Sequence, residues 1–188
     1  MPPLRTARQD GLPEPHDLKY LDESQVDRLL SACTNFRDYL LIRTLWKTGC
    51  RVSEVLSLTN DGIDLKRGTI TVPALKLKRK GRMKFPVVDA ETLSMLANYA
   101  KRKSARIFPI TRVRAFQIVQ DAGKRVGLNV SPHMLRHSFA VKWAKEGGDL
   151  VKLQRQLGHS RLATTTDMYL HFSTADIARE YDQVWRGG

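Results

Sequence analysis

Acidic side chains are scarce in this chain of 188 residues: 19 Asp and Glu stand against 32 Lys and Arg, a net charge of +13. That shortage favours a polyanionic partner, nucleic acid first and an anionic membrane surface second. Cysteine is nearly absent. Cys33 and Cys50 are too few for a disulfide framework and point to a reducing compartment. Long apolar runs are missing, and no basic-then-apolar leader opens the chain, so a membrane span is not expected and a cytoplasmic setting is. No stretch repeats another. The histidines at 133, 137, 159 and 171 include an i,i+4 pair, yet no cysteine or carboxylate lies beside them at ligand-like spacing. Neither a metal nor a cofactor is therefore expected. The length suits one ample domain.

What is present reads as a run of helices interrupted by a small sheet. Residues 1–20 hold four prolines and little apolar periodicity, the pattern of an extended arm or linker ahead of a domain over 21–188. Asp22 with Gln25 forms a capping box before Val26, Leu29 and Leu30. A second helix from about Asn35 to Lys47 buries Tyr39, Leu40, Ile42 and Leu45, and Gly49 closes it. Asn60-Asp61-Gly62 signals a turn, and residues 69–73 and 82–88 read as antiparallel strands. Asp89 caps a helix to about Lys103, Ile107-Phe108-Pro109 reads as a short buried strand, and Thr111 caps a helix ending at Gly127. The expected class is α+β, mainly helical, with a small antiparallel β-sheet on one edge.

The stretch from Ser131 to Phe172 carries the chemistry. Ser131 is an N-cap and Pro132 suits the first helical position. His133 and Arg136 then share one helix face. Gly147-Gly148 ends that helix, Asp149 caps the next, and Gly158 stops it just before His159. A short helix after Thr164 carries Tyr169, and a last one after Ser173 or Thr174 places Ile177, Ala178, Tyr181 and Trp185 at helical spacing. The motif Pro132-His133-Met134-Leu135-Arg136-His137-Ser138-Phe139-Ala140 is followed by Leu157-Gly158-His159-Ser160, Thr164-Thr165 and Tyr169-Leu170-His171. Two blocks in this order resemble the catalytic core of the tyrosine recombinases, or integrases. Upstream, Thr48-Gly49-Cys50-Arg51-Val52-Ser53-Glu54 resembles that family's other arginine block, with Cys50 at a usually apolar position.

The resemblance implies an enzyme that breaks and rejoins double-stranded DNA, most directly a site-specific recombinase. Arg51 and Arg136 would fork onto the scissile phosphate, whose charge grows in the transition state. Tyr169 would be the nucleophile, His133 the base and a phosphate donor, and His159 a hydrogen-bond donor. Glu54 would hold Arg51, and His137 would support its motif. The general acid would come from the segment Leu75-Lys76-Leu77-Lys78-Arg79-Lys80-Gly81. Counting back from Phe85-Pro86 lands on Lys78, with Lys76 and Lys80 as alternatives should the register slip. Arg112, Arg114, Lys124 and Arg125 would touch the DNA backbone. The family's last helix is handed to a neighbouring protomer, implying a homo-oligomer, a tetramer, on DNA. In larger relatives a segment like 1–20 follows an N-terminal DNA-clamping domain. The alternatives are supercoil relaxation by a type IB topoisomerase, or a DNA-binding protein without catalysis on the same fold.

Overall fold

The computed structural model describes residues 20–74, 83–101 and 105–158. Helix α1 (Glu23–Ser31) starts on the expected reciprocal cap: the Gln25 N–H donates to the Asp22 carboxylate at 2.8 Å, and the Asp22 N–H to the Gln25 side chain at 3.0 Å. Helix α2 (Phe36–Thr48) is apolar on most sides and buries Leu40, Leu41, Ile42, Leu45 and Trp46. Tyr39 is only half-buried. A helix so covered belongs at the centre, and α2 touches α1 and four helices introduced below: α3, α4, α5 and α6.

Gly49 ends α2 at φ 61°. A side chain there would meet Phe139 at 2.5 Å and Leu157 at 2.7 Å, so only glycine lets α2 approach the later helices this closely. Those are α6 (Pro132–Lys145) and α7 (Leu150–Leu157), capped by Ser131 and Asp149 as the sequence signals require. Helix α3 (Val52–Leu56) is a single short turn after Arg51. Helix α4 (Ala90–Ala100) starts at Asp89 and ends before the expected Lys103. Helix α5 (Arg112–Arg125) starts at Thr111. Among the described residues, no helix is long and apolar enough to cross a membrane.

The sheet differs in detail from the expectation. Strand β1 (Ile63–Asp64) pairs antiparallel with β2 (Thr69–Ile70), and β3 (Val72–Pro73) with β4 (Met83–Lys84), Val72 facing Lys84. The strand expected over 69–73 breaks at Thr71, whose N–H donates to the Gly62 carbonyl at 2.7 Å. Of the strand expected over 82–88, residue 82 lies outside the described residues, and 83–88 are regular only at β4. Pro86 has no N–H to continue a ladder, although its carbonyl accepts from Ile70 at 3.0 Å. Ile107 and Phe108 are fully buried, but they form no strand. Beside them lies an isolated Thr59–Arg106 bridge, the Ile107 N–H donates to the Leu58 carbonyl at 3.0 Å, and the Phe108 carbonyl accepts the Ile110 N–H at 2.8 Å. The class itself is as expected: mainly helical, with small antiparallel pairs.

Candidate active site

Arg51 occupies the N-cap of α3, and Glu54 lies one turn on. Glu54 is fully buried, so its charge requires partners. Its Oε1 accepts from Arg51 Nη1 at 3.0 Å, and its Oε2 accepts the Arg51 backbone N–H at 2.7 Å. The same Oε2 lies 2.6 Å from Lys84 Nζ. One carboxylate therefore joins two cations. The Arg51 side chain keeps 23% of its surface exposed, with N–H groups left over for another anion.

Arg136 enters from α6 and is only 3% exposed. Its Nη1 donates to the Gly49 carbonyl at 2.6 Å and its Nη2 to the Leu157 carbonyl at 3.0 Å. Lys84 Nζ reaches the same Leu157 oxygen at 3.4 Å. The last carbonyls of a helix lack partners within it and carry partial negative charge, so cations collect there. Burial pushes the Arg136 guanidinium down to about 10, and the nearby charge of Arg51 pushes the same way while Glu54 opposes. It still carries its proton at neutral pH. His133, one turn earlier on α6, is exposed. The fold thus brings Arg51, Glu54 and Arg136 together at the end of α7, where Gly158 turns the chain at φ 68° and His159 follows. Lys78, with Lys76 and Lys80, and His159, Tyr169 and the last helix lie outside the described residues.

His137 is set against Tyr20, ring centroids 6.1 Å apart, edge to face. Beside it, Ser138 Oγ accepts the Leu21 N–H at 2.7 Å. This part of the motif ties the start of the domain to α6. Two further residues escape sequence reasoning. Lys84 is 8% exposed, while its neighbours Met83 and Phe85 stand out in solvent. Strand alternation separates these two faces but does not say which is inward. Gln156 spans three segments: its amide donates to Thr48 O at 3.2 Å and Val87 O at 2.9 Å, and its oxygen accepts the Val87 N–H at 2.9 Å. Among the described residues, no three His, Cys, Asp or Glu side chains are placed to hold a metal.

A sequence profile of the phage integrase family matches residues 19–175. The tyrosine recombinase XerA of Saccharolobus solfataricus is 34% identical over 182 residues, which is 96% of this chain and 59% of that protein. The chain thus spans about three fifths of the length of that curated relative. A crystal structure of XerA recombinase superposes with a TM-score of 0.75 at 26% identity, covering 88% of this chain and 65% of the other. XerH site-specific recombinase, bound to a palindromic difH substrate in a post-cleavage complex, gives a TM-score of 0.70 at 25% identity, covering 89% and 53%.

Proposed function

Because the chain belongs to the phage integrase family, we propose that it cleaves and rejoins duplex DNA at specific sites through a 3′-phosphotyrosyl intermediate. The observation that carries this reading is the convergence of Arg51 and Arg136 on the end of α7, one pinned by a buried carboxylate, the other by two carbonyls. Preorganised cations lower the barrier because they need not reorganise as charge grows on the phosphate. Tyr169 Oη attacks phosphorus and the bond to the 5′ oxygen breaks. The phenol proton passes to His133, and Lys78 protonates the leaving oxygen. His159 donates a hydrogen bond to a non-bridging oxygen. The reverse attack by a 5′ hydroxyl of a partner strand reseals the backbone without ATP. The recombinase names of the relatives support recombination over supercoil relaxation.

In this reading residues 21–188 are the catalytic domain and residues 1–20 an arm leading into it. Duplex DNA is the partner, and the protein works in the cytoplasm or on the nucleoid. The helix around Ile177, Tyr181 and Trp185 joins protomers into a tetramer on DNA. The test is covalent capture. A duplex with a nick beside the scissile phosphate is incubated with protein and resolved on a denaturing gel. The native chain is expected to give a protein–DNA adduct. Tyr169→Phe, which removes one hydroxyl and little volume, is expected to bind DNA and give none. An undiminished adduct with Tyr169→Phe would move the nucleophile to another residue.

A further inference from the structure

We propose that Lys84 is a positioning residue for DNA cleavage, holding the Glu54 carboxylate so that Arg51 stays turned toward the phosphate. This rests on the DNA-cleaving reading above. Lys84 is too deeply buried to act as a surface phosphate contact. Its ammonium faces Glu54 Oε2 at 2.6 Å and Leu157 O at 3.4 Å. It therefore links β4 to the arginine block on one side and to the end of α7 on the other. Glu54 is fully buried, and its carboxylate oxygens face Arg51 and Lys84. With two cations beside it, the Arg51–Glu54–Lys84 group keeps one net positive charge, and Arg51 need supply only part of the neutralisation. Without Lys84, Arg51 becomes the nearest counter-charge, and attraction draws its guanidinium inward from the reacting phosphate. The Leu157 carbonyl would lose one of two donors, loosening the turn at Gly158 that leads into His159.

Three variants, Lys84→Met, Lys84→Arg and the pair Lys84→Met with Glu54→Gln, are compared with the native chain in single-turnover adduct formation on nicked duplex. Lys84→Met is expected to slow the reaction about tenfold or more, as small displacements of a phosphate-binding group do, while the duplex Kd moves by less than about threefold. Lys84→Arg is expected to recover most of the rate. It keeps a positive charge facing Glu54 and the Leu157 carbonyl. Should Lys84→Met fail to fold, the double variant removes the uncompensated carboxylate. It is then expected to fold and still cleave slowly. A duplex with a 5′-bridging sulfur at the scissile bond separates positioning from proton donation, because a thiolate leaves without a proton. The Lys84→Met defect is expected to persist on it. Full restoration by sulfur, or native rates from Lys84→Met or the double variant on the ordinary duplex, would overturn the proposal alone. A native chain that gives no adduct would overturn the cleavage reading, and the role of Lys84 with it.

Discussion

Cys33 and Arg136 are both held by burial away from their usual titration ranges, in ways that oppose each other as pH rises. Burial, helped by Asp38 and opposed by Arg125, raises the Cys33 thiol from 9.0 to about 11. A group whose pKa is raised by folding favours the folded state in full below its unfolded pKa. The contribution fades as pH climbs to the folded value, because the unfolded chain gives up its proton first. Arg136 runs the other way. Burial and the nearby charge of Arg51 lower it to about 10, so its cost to folding is present at neutral pH and relaxes only above that value. Replacing Cys33 isolates the thiol, since Arg136 is common to both proteins. The melting temperature of the native chain relative to Cys33→Ser is expected to fall between about pH 9 and about pH 11. A difference that stays constant across that range, followed by circular dichroism, would mean the thiol titrates alike in both states. Glu54 is satisfied by three donors within the fold.

At the scale of elements, the junction of α2, α6 and α7 decides whether the two arginines meet. Gly49→Ala puts a methyl group in the left-handed region and against Phe139 and Leu157. The expected loss in chemical denaturation is about 2–4 kcal/mol, from backbone strain and overpacking together. An unchanged midpoint would mean that α6 and α7 move aside freely. This junction was legible in outline from the sequence, because its signals are local. Ser131 with Pro132, Asp149, and the glycines at 49 and 158 each act within a turn of their own helix, as Asp22 with Gln25 does at α1 outside the junction. The sheet was less legible, because pairing is not local. Thr71 leaves its strand for the Gly62 carbonyl, and Ile107 bonds to Leu58. The site divides in the same way. Arg51, Glu54 and Arg136 stand in motifs, and the fold brings them together. Lys84 and Gln156 act only through partners 69 or more residues distant for Gln156 and at Glu54 and Leu157 for Lys84. No spacing within their own segments points to those contacts.

The whole molecule carries +13, and in the proposed reaction that charge would set both the strength and the selectivity of DNA binding. Lysines and arginines that neutralise phosphates release condensed counterions, so affinity for any duplex is expected to fall steeply and linearly on a log–log plot against salt. Phosphate contacts fix position and register without reading bases. Arg51 and Arg136 are of that kind in the proposed reaction. In that reading the basic surface brings a strong electrostatic contribution and few contacts of the sort that discriminate sequence. The expected outcome for these 188 residues is weak binding, a low ratio of cognate to random affinity, slow cleavage, and a free protein that is monomeric, with protomers gathering on DNA. Competition binding against random duplex across a salt series measures the first two, and light scattering of the free protein measures its mass. A flat salt dependence would remove the basic surface from the DNA interface. A stable free tetramer, or discrimination by many orders of magnitude, would show that this catalytic face reads sequence and assembles without further grip on the duplex.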